Sequence, residues 1–177
     1  MQYAVRDYTM LLDRGYPERS IREAVADRYR LTRDERAMLY RGVHSRAASA
    51  VRDLKRCAPE AAENDPLRVD ALNVIYTVAA YCLGKPVFLS TDGWLRDAAE
   101  IHGTVISDSI TNRSVRLLSD FFAARASVFS HVIFLVDQSA DIAASLSRSL
   151  DELVAQKSNG CIQLTLAGGV DQNLVQA

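Results

Sequence analysis

Leu67-Arg-Val-Asp-Ala-Leu-Asn-Val-Ile75, Pro86-Val-Phe-Leu-Ser-Thr-Asp-Gly93 and His131-Val-Ile-Phe-Leu-Val-Asp137 are the stretches whose reading decides the fold. Each is a short apolar run that ends on, or within a few residues of, an aspartate. Strands buried in a parallel sheet read as continuous apolar runs rather than alternating ones. In open α/β sheets, ligands bind beyond the carboxyl ends of such strands. Asp70, Asp92 and Asp137 are therefore expected to converge on one rim of one sheet. Carboxylates gathered in this way repel unless a hard cation sits between them, and all-oxygen sites suit Mg²⁺ or Mn²⁺.

The pattern around these runs alternates strand and helix. Strands are expected at 67–71, 86–90, 131–136 and 161–166. Helices are expected at about 73–83, 94–101, 112–126 and 139–157, with a loop between Gly103 and Thr111. Such alternation indicates a mostly parallel sheet with crossover helices, an α/β architecture. The residues before it read as helical. Tyr3, Asp7, Tyr8, Leu11 and Leu12 lie near helical spacing, and Gly15-Tyr16-Pro17 ends that helix. Ser20 with Glu23 and Thr32 with Glu35 each have the spacing of a capping box. They open a second helix to about Tyr29 and a third from about Arg33 into the fifties. Two helices joined by Arg30-Leu31-Thr32 have the outline of a helix-turn-helix. Residues 57–66, with two prolines and three acids, read as a linker. The expected division is thus a helical region over 1–56, a linker over 57–66 and an α/β domain over 67–177.

With 49% hydrophobic and 24% charged residues, the 177-residue chain has the composition of a soluble globular protein. Its net charge of −1 hides an asymmetry. Residues 1–56 carry 13 Lys and Arg against 8 Asp and Glu, a balance of +5, whereas 57–177 carry −6. A basic segment joined to an acidic one pairs a phosphate-binding surface with a metal-binding one, or docks on it. Cys57, Cys82 and Cys161 are odd in number and widely spaced. They argue against a disulfide framework and a zinc site, and for a reducing, cytoplasmic setting. The longest apolar region, 72–89, is broken by Gly84, Lys85 and Pro86, so no membrane span is expected.

Several side chains carry candidate chemistry. Asp70 and Asn73 form an Asp-x-x-Asn at the end of the first strand, where they either serve a site or cap a helix. In Asp92-Gly93-Trp94-Leu95-Arg96-Asp97, two acids five residues apart can reach one site across a tight turn, and Arg96 can neutralise a carboxylate or grip a phosphate. Asp137 follows the strongest strand signal and precedes Ser139. His102, before Gly103, is a further candidate, as a general base or a phosphate contact. The chain has no Gly-x-Ser-x-Gly, Walker loop or Gly-x-Gly-x-x-Gly, which excludes a nucleophile elbow and those nucleotide cradles.

These residues resemble a prokaryotic family described as domain of unknown function 434, with its associated PIN-like domain. The similarity is carried by Arg14-Gly15-Tyr16-Pro17, Leu39-Tyr40-Arg41-Gly42, Val69-Asp70-Ala71-Leu72-Asn73-Val74 and Asp92-Gly93-Trp94-Leu95-Arg96-Asp97 with His102-Gly103. The resemblance implies a Rossmannoid, PIN-like domain related to PIN and NYN nucleases, in which strand-end acids hold divalent metal and cut RNA. Carried over, Asp70, Asp92, Asp97 and Asp137 become catalytic residues, with Mg²⁺ or Mn²⁺ on Asp70, Asp92 and Asp137. Asn73 also matches a site position, and it is expected to contact substrate together with Arg96, His102 and Ser139, which the residues themselves suggest. The chain departs from the family after Asp137, where Ser139-Ala140-Asp141-Ile142 lacks the expected glycine-rich turn. The resemblance further implies a final strand bearing another acid, before which this chain is expected to stop, as a truncated chain or as a degenerate member lacking full activity.

The expected function is a metal-dependent nuclease acting on RNA at a carboxylate cluster. Its rivals are a non-catalytic nucleic-acid-binding module and a hydrolase of a small phosphorylated metabolite. PIN-like domains often pair, which makes a homodimer one expected assembly.

Overall fold

The computed structural model describes residues 1–56, 66–99, 107–125, 131–137, 162–167 and 170. The chain is mixed α/β. In order it forms α1 (Gln2–Asp13), α2 (Glu18–Arg28), α3 (Arg33–Gly42), α4 (Arg46–Asp53), β1 (Leu67–Asp70) and α5 (Ala71–Cys82). There follow β2 (Val87–Leu89), β3 (Leu95–Asp97), α6 (Asp108–Ala123), β4 (Val132–Asp137) and β5 (Ile162–Ala167). Contacts group these into two units: residues 1–56 with 84–100, and residues 57–83 with 101–177.

The first unit begins as the sequence leads one to expect. α1 ends where the Gly15 and Tyr16 amides turn back to Leu12 and Leu11 carbonyls. Thr32 and Glu35 form a complete capping box: the Thr32 amide donates to Glu35 Oε2 at 2.9 Å, and the Glu35 amide to Thr32 Oγ1 at 3.4 Å. The box expected at Ser20 does not form. α2 starts at Glu18 behind Pro17 with no side-chain cap, which puts Ser20 already inside the first turn. Arg36 ties α3 to α2 through Glu23 at 2.7 Å and Asp27 at 2.6 Å. The long helix expected from Arg33 into the fifties is two helices. Val43 is extended, and Ser45 caps α4 by accepting from the Ala48 amide at 3.2 Å. Ala4, Tyr8, Ile21, Val25, Ala26, Leu31, Leu39 and Val43 are the buried core.

Residues 84–100 complete this unit, and here the sequence reading is corrected. Residues 94–99, the described part of the helix expected at 94–101, are not helical, and 86–90 do not join a parallel sheet. β2 and β3 instead pair antiparallel, Val87 opposite Asp97 and Leu89 opposite Leu95. The cause is the turn: Gly93 has φ +77°, a conformation that costs glycine little and lets the chain reverse at once. The ribbon lies against the end of α3, where the Thr91 amide donates to the Gly42 carbonyl at 2.8 Å and the His44 amide to Thr91 Oγ1 at 2.9 Å.

In the second unit, β1, β4 and β5 form a parallel sheet in the order β1-β4-β5. Ala71 and Ile75 of α5 and Val115, Leu118 and Phe122 of α6 bury against Val132, Phe134 and Val136 of β4. The Phe122 and Phe134 rings meet edge to face at 5.6 Å, a favoured aromatic geometry. The parallel strands expected at 67–71, 131–136 and 161–166 are therefore present. The helix expected at 139–157 and residues 57–65 of the linker lie outside the described residues.

Candidate functional site

The expected site residues fall into both units. Asp70 and Asp137 end β1 and β4, which are neighbouring parallel strands. Asp70 is in register with Leu135, so Asp137 stands two residues further along the adjacent strand. Two residues of strand span roughly 7 Å. The Asp70 carboxylate accepts from the Asn73 amide at 3.0 Å and from Asn73 Nδ2 at 2.7 Å. It therefore caps α5 and is oriented by Asn73, which combines the two roles weighed from the sequence. The side chain of Asp137, and all of His102 and Ser139, lie outside the described residues.

Asp92, Arg96 and Asp97 sit in the first unit. The Asp92 side chain is fully buried, and its Oδ2 faces three basic groups: Arg96 Nη2 at 2.8 Å, Arg52 Nη1 at 3.3 Å and His44 Nε2 at 3.4 Å. Its Oδ1 accepts from the Ser90 hydroxyl and from the Trp94 amide. Burial alone would raise its pKa, but the Ser90 hydroxyl, Arg96 and the Trp94 amide hold it down at about 2. Arg56 reaches the same turn, donating from Nη2 to the Asp92 carbonyl at 3.0 Å. The neighbouring Asp97, also buried, accepts from Arg41 Nη2 at 3.1 Å and from the Ala99 amide at 3.0 Å. Both carboxylates are thus held by guanidinium groups of the α3–α4 region or of the ribbon itself.

His44, Arg52 and Arg56 were not singled out by sequence reasoning. Their role depends on the ribbon folding back onto helices some forty residues earlier, and no local spacing announces that. Burial and the charges of Arg52 and Arg96 depress the His44 pKa against the pull of Asp92. Among the described residues, no three His, Cys, Asp or Glu side chains gather as a group able to hold a metal ion.

A mixed α/β chain with strand-end aspartates in one unit and two arginine-bound aspartates in the other is the class that the geometry defines. Residues 59–177 match the family described as "Domain of unknown function (DUF5616)", and the chain belongs to that family. Residues 1–55 match "Protein of unknown function (DUF434)". That second match supports the resemblance drawn from the sequence and limits it to the helical segment. The Val69–Val74 and Asp92–Asp97 motifs fall within the other family's span. The chain is also similar to an uncharacterized protein of Methanocaldococcus jannaschii, 23% identical over 118 residues. The alignment covers 67% of this chain and 57% of that protein, so the chain spans little more than half of its relative's length. No solved structure matches the chain. No helix among the described residues is long and apolar enough to cross a membrane.

Proposed function

We propose that this protein is a metal-dependent phosphodiester hydrolase of PIN-like type, acting on RNA in the cytoplasm. The observation that carries the reading is the pair Asp70 and Asp137, ending adjacent parallel strands of one sheet. The carboxyl edge of such a sheet is where α/β proteins bind ligands. The donor set suits a hard cation, because Mg²⁺ is commonly held by one or two carboxylates with water filling the remaining positions. Asn73 spends about half of the lone-pair directions of Asp70 and fixes its orientation, leaving the others for a metal. Once bound, Mg²⁺ or Mn²⁺ supplies an activated water and stabilises charge on the phosphate oxygens. Asp92 and Asp97 are engaged by arginines in the other unit, so the reading rests on Asp70 and Asp137 rather than on all four acids.

The test is cleavage of a single-stranded RNA by the whole chain with Mn²⁺, before and after Asp70→Asn. Asparagine caps a helix as well as aspartate does, so this substitution removes the charge and leaves the fold. Loss of cleavage in the variant is the expected result. Cleavage that needs no metal, or that survives the substitution, overturns the reading.

A further inference from the structure

We propose that the turn of the β2–β3 ribbon, with the end of α4, forms a binding platform for single-stranded nucleic acid centred on Trp94, Arg52 and Arg56. Trp94 is half-exposed, and Arg56 lies over its ring at 5.2 Å from the centroid. An exposed indole with guanidinium groups beside it is the chemistry that holds an unpaired base by stacking and its phosphate by charge.

The charges around the turn point the same way. Arg52, Arg56 and Arg96 touch two carboxylates, Asp92 and Asp53, so three guanidinium groups stand against two acids. Donors also outnumber acceptors. Arg52 Nη1 and Arg96 Nε are enclosed without a hydrogen-bond partner, so the donors open to a ligand are those on the exposed parts of Arg52 and Arg56. Asp92 is saturated, while the side chains of Arg52 and Arg56 remain 41% and 45% exposed. A phosphodiester brings one negative charge and unpaired oxygens, which is what this cluster lacks. Lys55, exposed between the two arginines on the chain, adds to the field.

Asp92 acts here as the positioning residue. It pulls Arg52 and Arg96 to the turn, while Gly93 leaves room for Arg56. A Cβ on Gly93 would sit 2.7 Å from Arg56 Nη2. The platform lies wholly within the first unit and does not require the Asp70–Asp137 edge to be catalytic.

Trp94 is the chain's single tryptophan, so its fluorescence reports on this surface alone. The experiment titrates the full chain with a short oligouridylate at low salt in the presence of EDTA. Saturable quenching is expected, with an affinity that falls with salt at a log–log slope of about −2 for some three phosphate contacts, from Arg52, Lys55 and Arg56. Arg56→Gln is expected to weaken binding about tenfold. Trp94→Ala, followed by anisotropy of a labelled oligonucleotide, is expected to weaken it about tenfold as well, and Trp94→Phe much less. Far-ultraviolet dichroism verifies that each variant is folded. Absence of quenching, or unchanged affinity in both Arg56→Gln and Trp94→Ala, overturns the platform. Equal quenching by a polyglutamate of matched charge assigns the surface to acidic peptides and also overturns it. Because the titration is run without metal, binding by a chain whose unsubstituted form shows no Mn²⁺-dependent cleavage upholds the platform while the hydrolase reading fails.

Discussion

Arg96 donates from Nη2 to Asp92 Oδ2 at 2.8 Å, and this bond spans the turn that joins β2 to β3. It is the shortest of the three contacts that oxygen makes with basic side chains, and it comes from the ribbon itself. The other two come from Arg52 of α4 and from His44 just before it. One buried carboxylate therefore fastens the ribbon to the helices.

Removing that carboxylate leaves Arg96 and the buried Nη1 of Arg52 without a counter-charge. Asp92→Ala is expected to destabilise the first unit by about 3 kcal/mol, the usual cost of stranding one partner of a buried pair. Urea denaturation followed by Trp94 fluorescence measures it. Asp92→Asn keeps an acceptor for Ser90 and the Trp94 amide, so its loss is expected to be smaller.

Acid is expected to loosen the same unit in two stages. The neutral form of His44 is favoured in the fold, so its contribution is complete above its ordinary pKa of 6.5 and declines as the pH falls below that value. Asp92 is held at about 2 against an ordinary 3.8, so its contribution is complete above pH 3.8 and is lost between there and about 2. That second stage is worth about 2 kcal/mol. Unfolding midpoints measured across this range should show both steps. His44→Gln should abolish the upper step and Asp92→Asn the lower.

Gly42 closes α3 directly beneath Phe88 of β2, and a methyl group there would collide with the edge of the Phe88 ring. Gly42→Ala is expected to cost about 1–3 kcal/mol through overpacking. Phe88→Leu should recover part of that loss, giving a double-mutant cycle that is clearly non-additive. Thermal denaturation of the four proteins is the measurement. Additive losses would mean that the ribbon does not rest on Gly42.

Asp70 offers a separation of structure from chemistry. Asp70→Ala removes the acceptor for the Asn73 amide at the start of α5 and should cost about 1 kcal/mol, whereas Asp70→Asn should cost little. Calorimetry on the two variants tests this. Equal losses would show that the carboxylate contributes through its charge and not through its cap.

The elements that were legible in the sequence are those built from local signals. Thr32 and Glu35 sit three apart at a helix start and close on each other, and the apolar run 132–136 is a buried strand. Ser20 and Glu23 carry the same spacing, yet Pro17 starts the helix a turn earlier. The ribbon was the main loss. Asp92-Gly93 between Phe88-Leu89 and Leu95 is a hairpin signal of the Asp-Gly kind. It was obscured because Val87-Phe88-Leu89 also reads as a buried parallel strand. The candidate site was legible in its parts but not in its assembly. Asp70 and Asp137 are legible from strand ends and Arg96 from its place beside Asp92, whereas the further partners His44 and Arg52 come from the first 56 residues, where no local spacing ties them to that acid.

The grouping of residues 84–100 with residues 1–56 has a consequence for how the chain comes into being. A ribosome releases the four helices first, and Arg41 and Arg52 emerge with their acidic counterparts still unwritten. Some forty further residues must be translated, among them the opening strand and helix of the other unit, before Asp92 and Asp97 arrive to engage them. The early helices must stay soluble and open through that interval, and any fragment ending near residue 56 leaves Gly42 bare and its arginines without their acids.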